Sequence, residues 1–228
     1  MGTCAPVVGL VGLSFFDESA RPVEPPPRQR RPRWVAPPEN ELGSVVPISL
    51  VLARTDELAL VLSFVVAYST GFALRLGLRL HPDAAIDPRS FMPLHGRPWS
   101  GEEPLRFGVE FSDGRKATNL GPRRPPAEGE PPITLTMNGG GGGGGLSFDF
   151  SYWVSPLPPP DKITFAVAWP SRAISETQRV LDTAPILEAA ALSEQLWEDN
   201  RPVGGGGGAP IIGAGGGGAW QSLSAEKP

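Results

Sequence analysis

The sequence predicts an all-β fold, a β-sandwich of about 8–9 mostly antiparallel strands with one C-terminal α-helix and flexible tails at both ends. Short apolar segments recur along the chain, and several of them alternate apolar with polar residues. Gly, Pro and Asp residues punctuate these segments, and no helical pattern lies between them. The chain has 29 Gly and 28 Pro, yet 40% of it is hydrophobic, so a core can form if the Gly and Pro are clustered.

We expect one domain over residues 34–201. Residues 1–33 include "RPVEPPPRQRRPR", a Pro/Arg-rich stretch that cannot bury a core and predicts a disordered leader. This stretch is either a solvated tail or a ligand for an SH3-like groove, and we favour the solvated tail. Residues 202–228 are glycine-rich and predict a disordered tail.

The first strands are predicted between residues 45 and 80. The segment "VVPISLVLA" gives one strand, and "ELALVLSFVVAYS", which is apolar on both faces, predicts a central strand. In "GFALRLGLRL" the even-numbered residues are apolar, so this strand should bury one face. The intervening "YSTG" supplies a turn between the two strands.

The remaining strands follow at regular intervals. The segment "LRFGVEFSDGRKATNLG" predicts a hairpin, with Asp113-Gly114 in a type I′ turn. Further strands are predicted at "ITLTM", "LSFDFSYWV", "KITFAVAW" and "AISETQRVL".

The helix is predicted over residues 183–199, "TAPILEAAALSEQLWED". Thr183 can cap it and Pro185 sits in its first turn. The apolar stripe comprises Ile186, Leu187, Ala190, Leu196 and Trp197, which should pack on the sandwich. The polar face carries Glu188, Glu194, Glu198 and Asp199 with no base, which predicts an acidic patch.

Seven consecutive glycines, residues 139–145, precede an aromatic strand. A dinucleotide fingerprint needs a helix after its glycines, and a Walker loop needs Lys and Ser or Thr where Leu146 and Ser147 stand. A domain linker is disfavoured because similar strands lie on both sides. We therefore predict a slack loop within the domain.

Composition excludes several classes of function. A single cysteine, Cys4, cannot build a disulfide framework or a thiolate metal cage, which favours a reducing compartment such as the cytoplasm. The net charge of -4 disfavours nucleic acid as a partner, because five arginines and only one glutamate lie between Arg21 and Arg33, which leaves the rest of the chain more acidic. The apolar start lacks a basic flank and is shorter than a membrane span, so we expect no membrane span.

A family resemblance rests on the segments "WVAPPENELGSVVP", "LVLARTDELAL", "AYSTGF", "ATNLGP", "YWVSPLPPP" and "APILEAAA". These resemble recurrent blocks of a family of uncharacterised bacterial proteins from high-GC genomes. The resemblance covers residues 34–199 and implies a single domain with tails. It implies no activity, since none is known for that family.

Four groups of residues could carry chemistry. His81 with Asp83 and Asp87 could bind a metal, although turn chemistry is the preferred interpretation, and His95 has no spaced partner. Glu110 and Asp149 could form a carboxylate pair on a concave face, but alternation favours solvent-facing positions. Trp99 and Trp153 could be exposed at a binding surface, although core tryptophans are expected in a sandwich and are the preferred interpretation. The acidic residues of the helix form the fourth group.

The preferred function is a non-enzymatic β-sandwich that binds another protein or a copy of itself, through loops or the acidic helix face. We assign no catalytic, cofactor-binding or metal-binding residue, and no small-molecule ligand is indicated. The alternative is a hydrolase of carbohydrates or esters that uses scattered carboxylates on the same scaffold.

Overall fold

The fold is seen in a computed structural model, which describes residues 28–86, 104–121, 133–138 and 142–204, with backbone alone at 142–144. The all-β class with one helix is confirmed. The described residues form thirteen strands, more than the eight or nine predicted, because several short strands line the sheet edges. Every strand pairing is antiparallel.

Two sheets and one two-stranded ribbon make up the architecture. The seven-stranded sheet contains β2 (Ser44–Val46), β3 (Leu50–Arg54), β4 (Leu58–Tyr68), β5 (Gly71–Leu80), β8 (Thr134–Met137), β9 (Gly142–Gly144) and β10 (Ser147–Ser155). The four-stranded sheet contains β6 (Arg106–Phe111), β7 (Lys116–Thr118), β11 (Lys162–Trp169) and β12 (Ile174–Asp182). The ribbon contains β1 (Glu41–Leu42) and β13 (Glu194–Gln195), and the helix is α1 (Ala184–Ala191).

The core lies between the two sheets. On β5 the apolar residues that alternate along the strand are all buried, as predicted: Phe72, Leu74, Leu76, Leu78 and Leu80. The Phe107 ring on β6 lies 5.2 Å from the Tyr152 ring on β10, so aromatic side chains join the sheets directly.

The predicted central strand is β4, which pairs with β2 and β3 on one side and β5 on the other. The predicted turn is also present, since Tyr68 pairs with Gly71 across Ser69 and Thr70. The inner face of β4 is buried, whereas its outer side chains are half-buried. The segment before it forms two short strands rather than one, because Pro47, which has no backbone N–H, lies between them.

The hairpin β6–β7 is confirmed, but the predicted type I′ turn is wrong. The carbonyl of Arg115 accepts a hydrogen bond from the N–H of Phe111, which closes a loop of three residues. Only Gly114 has a positive φ, +85°, whereas a type I′ turn needs two such residues. Asp113 instead stabilises the loop, since its carboxylate accepts the Arg115 backbone N–H at 3.0 Å.

The glycine run is not a slack loop throughout. Gly142–Gly144 form β9, which pairs with Ser147 to Asp149 of β10. Gly145, at φ +64°, begins the turn between them, a conformation that favours glycine. The other glycines of the run, 139–141, lie outside the described residues.

The predicted helix is correct only in its first half. It begins and ends at Ala184 and Ala191, and Ile186, Ala189 and Ala190 are buried in the sandwich core. Thr183 does not cap it with its side chain, because the hydroxyl donates to the carbonyl of Pro159 at 3.1 Å.

Beyond Ala191 the chain extends and pairs with the segment before β2. Ser193 turns its hydroxyl back to the carbonyl of Ala190 at 2.7 Å, and the Leu196 N–H donates to the carbonyl of Asn40. The helix prediction is therefore wrong for residues 192–199: the ribbon satisfies the backbone groups that a longer helix would have satisfied internally.

The ends of the described chain contact each other. The Arg30 N–H donates to the carbonyl of Pro202, and the Gly204 N–H donates to the carbonyl of Arg30, both at 2.9 Å. These contacts lie just outside the predicted domain boundaries at residues 34 and 201. Among the described helices, none is long and apolar enough to cross a membrane.

Candidate functional site: the β1–β13 ribbon

The two carboxylates considered for a hydrolase do not meet. Asp149 lies on β10 and pairs with Arg79 at 2.9 Å, whereas Glu110 lies on β6 and pairs with Lys116 at 3.1 Å. Their strand neighbours point into the core, so both carboxylates lie on the outer faces of different sheets. Each is held in an ion pair, as expected of solvent-facing strand residues.

The residues considered for a metal form a turn. The Nδ1 of His81 accepts the backbone N–H of Asp83 at 3.2 Å, and the His81 carbonyl accepts the N–H of Ala84. Asp87 and His95 lie outside the described residues. Within the described ranges, no group of three or more His, Cys, Asp or Glu side chains is placed to hold a metal ion.

Trp153 is a core residue, which is the preferred of the two interpretations of its position, and the alternative of an exposed side chain is wrong. Its side chain is fully buried, and its indole N–H donates to the carbonyl of Arg33 at 2.8 Å. The segment that follows Arg33 covers the ring on the outer face of the seven-stranded sheet, where the Trp34 carbonyl accepts the hydroxyls of Thr134 and Thr136. Trp99 lies outside the described residues.

The predicted acidic helix face does not form, and its acidic residues lie instead on a surface that also has exposed apolar side chains. Of its four predicted members, only Glu188 lies on α1; Glu194 lies on β13, and Glu198 and Asp199 follow the ribbon. Leu196 and Trp197, predicted to be buried in the helix stripe, are 46% and 59% exposed. The acidic residues are therefore next to exposed apolar side chains, an arrangement absent from the sequence-based prediction.

The ribbon places two leucines on one face. Leu42 is opposite Glu194, and residues opposite each other in an antiparallel pair share a face. Leu196 follows Glu194 by two residues and so points the same way. Glu41 points to the other face, where its carboxylate accepts the Ser69 hydroxyl at 2.7 Å. The Leu42 face therefore points away from the β4–β5 turn.

A third exposed leucine adjoins this face. Leu192 is the C-cap residue of α1, two residues before Glu194, and is 75% exposed, while Leu42 is 58% exposed. We call this group the ribbon surface. It comprises Leu42, Leu192, Glu194 and Leu196, together with Glu188, which lies one helical turn before Leu192.

The acidic side chains of the ribbon surface have no cationic partner among the residues that the structure describes. Glu188 and Glu194 are exposed, and neither forms an ion pair or a side-chain hydrogen bond with any residue that the structure describes. Glu198, just beyond the ribbon, is also exposed and unpaired within the same described ranges. The surface thus combines apolar area with uncompensated negative charge.

Asp199, the last of the four acidic residues assigned to the predicted helix, has a different environment. The guanidinium of Arg201 pairs with Asp199 at 2.7 Å and with Glu39 at 2.9 Å. The hydrogen bond from Arg201 lowers the pKa of Asp199 to about 2, and the same contact raises the pKa of Arg201. Trp197, Arg28 and these residues line an open depression of about 640 Å³. We call the Arg201–Asp199–Glu39 group the ion-pair clasp.

Sequence reasoning missed the role of Leu42 and Leu192. The sequence does contain a signal for this surface, because leucines lie within two residues of glutamates in "NEL" and "LSEQL". The same spacing also fits an amphipathic helix. Only the pairing of β1 with β13, between residues more than 150 positions apart, separates the two interpretations.

No protein-family model, curated protein or solved structure matches the chain. The resemblance to a family of uncharacterised bacterial proteins therefore stays a prediction.

Proposed function

We propose that this protein is a non-enzymatic β-sandwich module that binds a protein partner through the ribbon surface. We place this activity in the cytoplasm, the compartment favoured by the single cysteine. The observation that carries the proposal is the exposure of Leu42, Leu192 and Leu196, between 46% and 75%, beside acids that form no ion pair within the described ranges.

The energetics of leucine support a binding role. Burying a leucine side chain contributes about 1.5–3 kcal/mol, and these three obtain little of that from folding. Single exposed leucines are ordinary, but a group on one face is typical of a surface that a partner covers. The sandwich core supplies the rigid support, because α1 and the clasp fix both ends of the segment that carries β13.

The unpaired carboxylates add specificity. Charges at the edge of an apolar patch select partners of opposite charge and repel those of like charge. Two ribbon surfaces facing each other would bring glutamates together, as would an approach to nucleic acid phosphates. The partner surface should therefore be apolar and cationic.

Affinity capture with matched variants tests this proposal. The bait is the full chain, as the parent, as the Leu192→Ser plus Leu196→Ser variant, and as Val180→Ser. Val180 is 59% exposed on β12 and serves as a control for the loss of an exposed apolar side chain elsewhere. Thermal melting first establishes that all three baits are folded.

We expect the parent and the Val180→Ser bait to retain the same protein, and the double variant to lose it. The retained protein is then purified and its affinity for each bait is measured. Equal affinity for all three baits would contradict the use of the ribbon surface.

A further inference from the structure

A second apolar surface lies on the outer face of the seven-stranded sheet. Val51 is paired with Val61, and Val45 with Val66, so each pair shares a face. The inner neighbours Leu60, Leu62 and Val65 are fully buried, which places the paired valines outside. Val45 and Val51 are 66% and 49% exposed. We call this the sheet face. It comprises Val45, Val51, Val61, Phe64, Val66 and Arg75.

The charge on the sheet face is positive and unpaired. The Arg75 guanidinium lies 4.5 Å from the centre of the Phe64 ring, and Arg75 has no ion pair within the described part of the chain. Its neighbour Arg79 is neutralised by Asp149 at 2.9 Å. Arg54, paired with Ala59 on the outer side of β3, adds a second exposed cation.

The sheet face and the ribbon surface are therefore complementary. One has valines and a phenylalanine around an unpaired arginine; the other has leucines around unpaired glutamates. Each supplies the charge that the other lacks, whereas either surface packed against itself would bring like charges together. Both also offer apolar area that association would bury.

We propose that the partner of the ribbon surface is the sheet face of a second copy of this chain. This inference rests on the proposed function, because it names the partner of the same surface. Contact between Glu194 of one copy and Arg75 of the other would set the orientation, and the apolar side chains around them would supply most of the affinity.

Charge reversal tests this proposal. Self-association of the full chain is measured by sedimentation velocity over a wide range of concentration. We expect the parent to self-associate, and Arg75→Glu or Glu194→Arg alone to weaken the association about tenfold or more. A mixture of the two single variants should recover it, because the intact Glu194 ribbon of the Arg75→Glu variant meets the intact Arg75 face of the Glu194→Arg variant, and the two altered surfaces also carry opposite charges. Glu176→Arg, an exposed change on β12, should have no effect.

Two outcomes would overturn the inference. In the first, the parent remains a monomer at all concentrations. In the second, the single variants associate like the parent, or their mixture fails to recover the association that each has lost. If the parent is a monomer but the Leu192→Ser plus Leu196→Ser bait still loses a captured protein, the proposed function stands and the second copy is ruled out as partner. If capture is also unchanged, both proposals fail.

Discussion

Leucines occupy opposite environments in two regions of the molecule. On β4 and β5 the side chains of Leu60, Leu62 and Leu76 have no exposed area, whereas Leu42 and Leu192 of the ribbon surface are more than half exposed. The first group stabilises the fold by burial. The second group contributes little to folding and is free for association. Stability and binding should therefore respond to different substitutions.

The largest effect is expected for Leu62→Ala. Removing most of a fully buried leucine side chain loses its burial and leaves a cavity. Together these should lower the free energy of unfolding by about 3 kcal/mol. The matched change Leu192→Ala on the ribbon surface, where the side chain is 75% exposed, should cost less than about 0.5 kcal/mol. Urea unfolding followed by tryptophan fluorescence measures both. Similar losses in the two variants would mean that the ribbon leucine contributes to the core.

Two glycines provide a second comparison between a packed and an open position. A Cβ on Gly71 would lie 2.3 Å from the carbonyl oxygen of Val154, so Gly71→Ala should cost about 2–3 kcal/mol. Gly114 has no atom within 4 Å of such a Cβ, although its φ is +85°.

Gly114→Ala should therefore lower the free energy of unfolding only because alanine disfavours a positive φ, by about 1 kcal/mol. Urea unfolding again measures both variants. Equal costs would show that β5 and β10 can separate enough to admit the extra methyl group.

Tryptophans give the third comparison. Trp153→Phe removes the indole N–H that binds the Arg33 carbonyl, and the loss should be about 1–2 kcal/mol. The covering segment should also be cut faster by trypsin after Arg33. Trp197→Phe is the control, because this exposed side chain lies in the ribbon region. Unchanged trypsin cleavage in Trp153→Phe would mean that other contacts hold the segment in place.

These comparisons also show what the sequence could predict. The alternation along β5 and the Asp113-Gly114 hairpin are local signals, and the structure confirms both elements. The helix start was also readable, because Ile186 and Ala190 fit a buried stripe. Local patterns therefore predicted the elements that local geometry determines.

The turn type at Asp113-Gly114 and the strand break at Pro47 are local errors, but the features that matter for the site depend on contact between residues distant in sequence. Strand alternation left an exposed Trp153 open as an alternative because its strand neighbours point inward, yet a segment about 120 residues earlier covers it. Leu196 fits a helical stripe equally well until β1 is known to pair beside it. For the same reason the ribbon surface could not be assembled from spacing alone.

The smallest effect is expected at the ion-pair clasp. The earlier substitutions change apolar packing or hydrogen bonds, whereas this one changes the charge of Asp199. Because Arg201 lowers the pKa of Asp199 from 3.8 to about 2, the folded state favours the ionised carboxylate. Its contribution is complete above pH 3.8 and is lost as the pH falls towards 2.

Amide hydrogen exchange at Gly204, whose N–H donates to the Arg30 carbonyl, reports on the clasp. The parent should be better protected than Asp199→Asn above pH 3.8, and the difference should vanish near pH 2. Comparing the two proteins at each pH cancels the intrinsic pH dependence of exchange. A difference that persisted at the lowest pH would mean that Asp199→Asn disturbs the shape of the ribbon rather than its charge.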